Sequence, residues 1–363
     1  MTRPTRRTGP AGARRSIEPD APVRAGRSTE PDAPVERRRV NGHRPAKDVT
    51  VPTFTRGDRT AKANGRARKR PESVEVPPPS TVDSQDVWEQ RIADALAFLR
   101  RRITGRYDVD DFGFDPELTD KVFYPLLRLL YRHYFRVEVS GVENLPTDGS
   151  ALLVANHSGT VPVDSLMLSL AVHDATPRHR YLRLLAADLV LRVPVLSEFA
   201  RKSGATLATN PDAERLLSAG ELVGVFPEGF KGIGKHYRER YRLQRFGRGG
   251  FVSAAVRTGA PIVPVAIVGA EEIYPIVGNL APLAKVLGLP YVPVTPLFPW
   301  LGPLGLLPLP SKWLIEFGTP IPTAELTEDA DDPIVVFNLG DQVRETIQQT
   351  LYTLLERRPD PFG

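Results

Sequence analysis

The sequence predicts an α/β fold, because short apolar segments alternate with helical segments from residue 136 onward. An apolar fraction of 41% is ordinary for a globular protein and is sufficient for a buried core. Seven segments have the apolar runs that are typical of buried strands: FRVEVSG, ALLVAN, YLRLLAA, GATLAT, LVGVFPEG, PIVPVAIVG and WLIEFGTPI. Helices are predicted near residues 164–173, 188–202, 211–219, 246–258 and 333–357.

Residues 1–82 are predicted to form a disordered basic tail rich in Arg and Pro. They contain 19 Lys and Arg but only 9 Asp and Glu, a net charge of +10, whereas the rest of the chain carries −5. The tail is poor in aromatic residues and contains the tandem repeat RSIEPDAPV and RSTEPDAPV, so it cannot bury enough apolar surface to order itself. Its run GRARKR has the charge to touch anionic lipid or nucleic acid, but a solvated tail is the simpler interpretation.

Residues 83–135 are predicted to form a pair of amphipathic helices. In the first, over 83–103, apolar residues recur at helical intervals after an acidic first turn. The second covers about 115–134, with Asp115 as its N-cap and Pro116 at its first position. This helix mixes Phe, Tyr, Leu and Arg, which suits either a bilayer surface or packing beneath the next domain.

Composition excludes several classes of protein and site. The chain has no cysteine, which rules out disulfides and thiolate metal sites, and no histidine has metal-ligand spacing, so no metal is expected. No run of about 18 or more apolar residues is present, and no apolar segment follows the charged N-terminus. Neither a membrane-spanning helix, a signal peptide nor a nucleic-acid partner is therefore expected.

Residues 280–310 do not fit a compact α/β core. This segment contains eight prolines and a single charged residue, Lys285, so it cannot form a spanning helix although it is strongly apolar. An exposed patch of this kind indicates a membrane or partner interface, whereas an irregular but buried insertion is the alternative. We expect contact with a membrane surface here, with the basic tail as a second candidate for such contact.

Two strand ends carry residues that suit chemistry, at the position where open α/β sheets gather functional groups. The first is Asn156-His157, with Asp164 at the start of the next apolar run, and the second is the segment FPEG, residues 226–229. A carboxylate that accepts a hydrogen bond from one imidazole nitrogen fixes the tautomer, and the other nitrogen can then remove a proton from a hydroxyl. The loop 158–163 is short enough to return Asp164 to His157, but a histidine that only caps the next helix explains the same pattern.

These two signatures, in this order, resemble those of the PlsC-like glycerolipid acyltransferase superfamily, which includes the lysophosphatidic acid acyltransferases. The similarity covers about residues 140–325 and continues through FGRGGFVSAAVRTGAPIVPVAIVG, and it is strongest to an actinobacterial-type subgroup. The resemblance implies a mixed central sheet flanked by helices, the glycerolipid acyltransferase fold, for residues 136–363.

The resemblance also implies a reaction, in which a fatty acyl group passes from acyl-CoA to the hydroxyl of a lysophospholipid or glycerol-phosphate-type acceptor. Acyl-CoA would be a co-substrate, and no cofactor is implied. His157 would be the general base and Asp164 would orient it, while Ser158 would be a helix N-cap and not a nucleophile. The enzyme would be a peripheral (monotopic) membrane protein at the cytoplasmic face. The substrate-binding residues that the resemblance suggests are Asn156, Phe226, Pro227, Glu228, Gly229, Lys231, Arg245 and Arg248.

Two departures from the family pattern bear on these expectations. Six residues separate His157 from Asp164, where the family usually has four. The second family signature supplies an arginine associated with the acceptor phosphate, but here Thr209 or Asn210 stands in its place, and basic residues of 229–250, Lys235 among them, are the substitutes. Two alternatives stay open: acylation of diacylglycerol or another lipid alcohol, and a lipid-binding relative without catalytic activity.

Overall fold

The computed structural model describes residues 84–362 apart from 160, 193, 248 and 359, and its side chains are described from residue 92 onward, apart also from 194 and 195. The predicted basic tail, residues 1–82, lies outside this part of the chain.

All seven predicted strands are confirmed, and two short strands are added. The strands of the described residues are β1 (Glu138–Ser140), β2 (Ala151–Ala155), β3 (Leu182–Ala186), β4 (Ala205–Leu207), β5 (Leu222–Val225), β6 (Ile262–Val268), β7 (Gly278–Asn279), β8 (Pro293–Val294) and β9 (Leu314–Phe317). Seven of them form one sheet with the order β1-β9-β6-β2-β5-β3-β4, and β7 pairs with β8. Since β9 is antiparallel to β6 whereas β2 is parallel to both β5 and β6, the sheet is mixed and the predicted fold class is confirmed.

The predicted helical regions are also helical in the structure. The α-helices of the described residues are α1 (Ser84–Ile103), α2 (Pro116–Leu118), α3 (Tyr124–Leu129), α4 (Val163–Ala175), α5 (Asp188–Arg192), α6 (Pro194–Lys202), α7 (Asn210–Ser218), α8 (Phe230–Ile233), α9 (Gly250–Thr258), α10 (Ala281–Leu287) and α11 (Pro333–Arg357). The prediction for α9 began four residues too early. Gly247 donates its N–H to the carbonyl of Pro227 at 3.0 Å, which ties the preceding residues to the loop after β5 and keeps them out of the helix.

The helix predicted over 115–134 contains two π-helical turns. Asp115 caps it as predicted, because its side chain accepts a hydrogen bond from the N–H of Leu118. The first π turn, Thr119–Phe123, ends immediately before α3, and Pro125 near the start of α3 has no N–H to offer the preceding turn. One side of the segment packs on α4, where Arg128 pairs with Asp174, while leucines on its other side are exposed.

Apolar side chains cover both faces of the sheet. One face packs against α4 through Met167 and Val172, and the other against α7, α9 and α11 through Leu216, Val252 and Ile347, all of them almost fully buried. Burying each of these side chains contributes about 1.5–3 kcal/mol. Because both faces of β2 are covered, the strand is a continuous apolar run and not an alternating one.

The insertion 280–310 presents an apolar surface to solvent. It contains α10, β8 and a 3₁₀ turn, Gly302–Leu306. Val286, Trp300 and Leu304 are 82%, 75% and 65% exposed, so the alternative of a wholly buried insertion is wrong. Among the described residues, no helix has the length and apolar character needed to cross a bilayer.

Candidate active site

The pairing of β2 with β5 brings the two sequence signatures to one edge of the sheet. Val154 lies opposite Val225 in the parallel register, so the loops that begin at His157 and at Phe226 leave the sheet side by side. Loops at the carboxyl ends of neighbouring parallel strands form the usual ligand crevice of an open α/β sheet.

His157 and Asp164 are in contact across the loop between β2 and α4. His157 Nδ1 lies 2.7 Å from Asp164 Oδ2. The carboxylate is fully buried, whereas 14% of the imidazole surface is exposed. A carboxylate at Nδ1 favours the tautomer that carries its proton there, which leaves Nε2 as the nitrogen able to accept a proton.

Both oxygens of Asp164 are held by the main chain as well. Oδ2 accepts a hydrogen bond from the N–H of Ser158, and Oδ1 accepts one from the N–H of Ser165, each at 2.8 Å. The six-residue spacing therefore does not separate the pair, because the loop folds back and places the carboxylate beside the imidazole. These bonds also fix the direction in which the carboxylate faces the ring.

Ser158 does not cap α4, so that prediction is wrong. The helix begins at Val163, and Pro162 occupies the N-cap position. The N–H of Ser158 is used on Asp164, and its hydroxyl is buried without a hydrogen-bond partner among the described residues.

Asn156 joins the end of β2 to β6. Its side-chain NH₂ donates to the carbonyl of Ile267 at 2.9 Å, and its side-chain oxygen accepts from the N–H of Ile267 at 2.7 Å. The residue is fully buried. In this arrangement Asn156 holds the strand end in place and presents no group to a substrate, although the resemblance suggested a binding role.

Glu228 is also turned toward the protein interior. Its Oε1 accepts a hydrogen bond from the N–H of His157 at 2.9 Å, and its Oε2 accepts one from the N–H of Gln244 at 2.7 Å. The side chain is completely buried. Glu228 therefore attaches the main chain of His157 to the loops after β5, and its carboxylate lines no open pocket.

The other residues of the FPEG segment shape the surroundings of the imidazole. The Phe226 ring packs against the His157 ring, with 4.6 Å between their centroids. The Pro227 carbonyl accepts the N–H of Gly247. Gly229 has a φ of +53° and a ψ of −139°, a backbone conformation that favours glycine, and this turn starts α8.

The basic residues that the resemblance suggested are not gathered at the pair. Lys231 and Arg245 are exposed on the surface of the loops after β5. Arg248 lies outside the described residues. Where the family has an arginine, the side chain of Thr209 accepts the N–H of Asp212 and caps α7, and Asn210 is exposed.

Lys235 and Gly232 contact residues of the site, and Glu271, outside the site itself, pairs with Lys235. Lys235 is buried, with its Nζ 3.1 Å from Glu271 Oε1 and 3.5 Å from Glu228 Oε2. Gly232 lies so close to His157 that a Cβ there would be 2.8 Å from the His157 carbonyl oxygen. The sequence suggests a phosphate-binding role for Lys235 as part of a basic loop, because no local pattern marks a lysine that pairs with a glutamate 36 residues further along the chain. Gly232 carried no signal beyond the glycine content of this loop.

A cleft of about 390 Å³ adjoins α8, the helix that directly follows the FPEG segment. The cleft lies between α8, α5 and the insertion. Its lining residues are Asp188, Leu189, Arg192, Phe230, Gly288, Leu289 and Pro290. The described residues contain no group of three His, Cys, Asp or Glu side chains that could hold a metal ion.

Comparison with known proteins adds the family. Residues 136–268 match the sequence model of the family described as Acyltransferase. The uncharacterized protein Rv0502 of Mycobacterium tuberculosis is 62% identical over 284 residues, which is 78% of this chain and 79% of that protein. A chicken (Gallus gallus) protein named as a DGAT1/2-independent enzyme synthesizing storage lipids is 28% identical over 58% of this chain and 61% of its own length.

A solved structure of the 1-acyl-sn-glycerophosphate acyltransferase PlsC from Thermotoga maritima aligns with a TM-score of 0.44. The identity is 19%, over 68% of this chain and 85% of that one. On the family match and the extended similarity to the mycobacterial protein, this chain belongs to the acyltransferase family. The class of enzyme is accordingly an acyltransferase.

Proposed function

We propose that this protein is an acyl-CoA-dependent O-acyltransferase that moves a fatty acyl group onto a hydroxyl of a lipid acceptor. The observation that carries the proposal is the contact of His157 Nδ1 with Asp164 Oδ2, at the edge of the sheet where a ligand crevice is expected. Membership of the acyltransferase family supplies the reaction class.

In the proposed reaction, Nε2 of His157 accepts the proton of the acceptor hydroxyl while the hydroxyl oxygen attacks the thioester carbonyl. A C–O bond forms and the C–S bond breaks, and the proton on the imidazolium then passes to the leaving coenzyme A thiolate. Asp164 stabilises the imidazolium, and a general base positioned in this way contributes about 10²–10⁴-fold to the rate. The reaction requires no covalent intermediate on a protein side chain.

A lysophospholipid or a glycerol-phosphate-type lipid is the first candidate for the acceptor, because the FPEG and His-Asp signatures resemble those of enzymes that acylate such lipids. Diacylglycerol or another lipid alcohol is the second. A specific observation favours it: Thr209 caps α7 at the position where the family has its phosphate-associated arginine. The chicken relative, named for the synthesis of storage lipids, supports the same candidate.

The insertion 280–310 would place the site at a membrane surface on the cytoplasmic face. Several large apolar side chains of the insertion are exposed to solvent. The insertion also lines part of the cleft beside α8, through Leu289 and Pro290. An acceptor dissolved in a bilayer could then reach the site without crossing water. Peripheral attachment of this kind needs no spanning helix.

Release of free thiol from acyl-CoA, measured with and without each lipid acceptor, tests the reaction. We expect thiol release that depends on the acceptor, equal formation of acylated lipid, and a loss of about 10²–10⁴-fold in His157→Ala. An acceptor panel of lysophosphatidic acid, glycerol 3-phosphate, a lysophospholipid and diacylglycerol ranks the candidates. Thiol release that ignores the acceptor would indicate hydrolysis, and lipid binding without turnover would indicate the non-catalytic alternative.

Flotation with lipid vesicles tests the membrane surface. The double variant Trp300→Ser, Leu304→Ser should bind vesicles about tenfold or more weakly, since it removes two large apolar side chains from the insertion. Phe337→Ser is the matched control, because Phe337 is 62% exposed but lies on α11. Equal binding by the wild type and the double variant would remove the insertion from the proposal.

A further inference from the structure

Lys235 lies in the interior, behind the FPEG segment, although lysine side chains are seldom buried. Only 2% of its side chain is exposed, and the two carboxylates beside it, those of Glu228 and Glu271, are 0% and 6% exposed. Its Nζ is 3.1 Å from Glu271 Oε1 and 3.5 Å from Glu228 Oε2. Burying an ion is costly unless it is paired, so this ammonium and the two carboxylates depend on one another.

The positive charge of Lys235 stabilises the carboxylate of Glu228 more than that of Glu271. Both oxygens of Glu228 accept main-chain N–H groups, and these bonds are strongest when the carboxylate is ionised. Glu271 accepts the N–H of Tyr241 through Oε2, and burial raises the pKa of Glu271 to about 7. Near neutral pH, Glu271 can therefore take up a proton more readily than an ordinary glutamate. When Glu271 is protonated, the positive charge of Lys235 interacts mainly with Glu228.

The bond from Glu228 leads directly to the proposed base. Its Oε1 accepts the N–H of His157, which is the second residue beyond the end of β2. The chain of contacts thus runs from Lys235 to Glu228 and from there to the main chain that carries the imidazole. A displacement of about 1 Å at such a point can cost about 10²-fold in rate.

We propose that Lys235 is a positioning residue for acyl transfer, which pairs with the buried carboxylate of Glu228 and so holds the main chain of His157 in its catalytic place. The inference rests on the proposed function and deepens it. The Lys235 side chain is only 2% exposed and lies beside two buried carboxylates, so its loss should lower kcat and leave KM for both substrates nearly unchanged.

The main test compares Lys235→Met with Lys235→Arg in the full chain. Methionine has a similar length and no charge, and we expect kcat to fall by about 10- to 100-fold with KM within about threefold of the wild type. Arginine keeps the charge and should restore kcat to within about tenfold of the wild type. Hydrogen exchange of the His157 amide should be faster in Lys235→Met, because the bond to Glu228 weakens, while exchange at Ile267 should not change.

Two matched variants separate positioning from a general loss of stability. Arg358→Met breaks the neighbouring buried pair of Arg358 with Glu272, which has no bond to Glu228, so it should lower the unfolding temperature but leave kcat within about threefold. Glu271→Gln removes the other carboxylate but leaves the pair of Lys235 with Glu228, so kcat should again be retained.

A wild-type kcat in folded Lys235→Met would overturn the proposal, and so would an equal loss of kcat in Arg358→Met. Should Lys235→Met not fold, Lys235→Arg and Glu271→Gln decide: retained kcat in both supports the proposal, and a loss beyond about tenfold in either overturns it. His157→Ala is run alongside. If His157→Ala is fully active, the proposed function has failed, whereas an inactive His157→Ala with an active Lys235→Met contradicts only the role of Lys235.

Discussion

The loops after β2 and after β5 each supply a buried carboxylate to the same histidine, but the two carboxylates contact different parts of it. Asp164, in the first turn of α4 beyond the first loop, lies against Nδ1 of the imidazole at 2.7 Å. Glu228, from the second, accepts the main-chain N–H of His157 at 2.9 Å. Both carboxylates are nearly inaccessible to solvent, so neither burial nor the kind of functional group distinguishes them.

The atom that each carboxylate contacts indicates what it can do. A group on the ring influences which nitrogen carries the proton and how well the imidazolium is stabilised, so it acts on proton transfer. A group on the main chain leaves the protonation of the ring alone and acts on where the ring is. We therefore infer that the first loop carries the chemistry and the second loop holds it in position.

Asp164→Asn should have the largest effect and would test the first half of this comparison. An amide at this position can donate to Nδ1 and favour the tautomer with the proton on Nε2, which is then unable to act as a base. We expect kcat to fall by about 10³-fold in the thiol-release assay with little change in KM.

Asp174→Asn is the matched control for that variant. Asp174 lies at the other end of α4, and it also contacts a histidine, with 3.2 Å between His173 Nδ1 and Asp174 Oδ1. This pair lies away from the ends of β2 and β5, so kcat should be unchanged. If kcat fell by a similar factor in both variants, the loss would reflect damage to α4 and not the broken pair of Asp164 with His157.

The second prediction concerns the pH dependence of stability, which should come from Glu271, the partner of Lys235 in the turn after β6. Burial raises the pKa of Glu271 from 4.5 to about 7, so between these values the native state binds more protons than the unfolded state. The free energy of unfolding therefore falls as the pH rises through this window, by up to about 3 kcal/mol at 1.36 kcal/mol per pKa unit.

Glu271→Gln should lack this fall, and urea unfolding at several pH values between about 4.5 and 8 measures the difference. Glu345→Gln, an exposed site on α11, is the control and should follow the wild type. Parallel stability curves for wild type and Glu271→Gln would show that the buried carboxylate is not the source of the pH dependence.

Gly232→Ala should have the smallest effect and tests the contact between the two loops. Its methyl would lie 2.8 Å from both the His157 carbonyl oxygen and Glu228 Cβ, so one loop has to move. We expect about a tenfold lower kcat and a loss of about 1–3 kcal/mol in the free energy of unfolding.

Gly340→Ala provides the comparison for that change, because its methyl would meet Val252 Cγ2 at an ordinary 3.6 Å. An alanine in the middle of α11 should leave kcat unchanged and be neutral or stabilising. If Gly232→Ala behaved in the same way, the close approach of the loops would have no role in placing the histidine.

Much of the fold was predictable because it follows local pattern. The inner strands β2, β5 and β6 are buried on both faces and are therefore apolar runs in the sequence, and each of the seven predicted strands was found where it was predicted. The proximity of His157 and Asp164 was predictable as one possibility, since a short loop separates them. The π turns beside Pro125 and the late start of α9 were not, because each depends on hydrogen bonds that no hydropathy pattern reports.

The supporting contacts of the site could not be predicted, because they join distant parts of the chain. Glu228 and His157 are 71 residues apart, and Lys235 and Glu271 are 36 apart. A lysine among glycines and arginines looks like part of a solvated loop until the fold encloses it. The resemblance to known acyltransferases identified Glu228 as a site residue, but only the atomic contacts reveal that it faces inward.

The side-chain amide of Asn156 extends the hydrogen bonding between β2 and β6 by one residue after β2 has ended, because it bonds to both the N–H and the carbonyl of Ile267. The next residue, His157, is thus anchored through Asn156 as well as through its own N–H, which Glu228 accepts. The connection 158–163 then has one further requirement to meet, which is to return Asp164 to the imidazole. The six-residue connection in this chain meets that requirement, since His157 Nδ1 and Asp164 Oδ2 lie 2.7 Å apart.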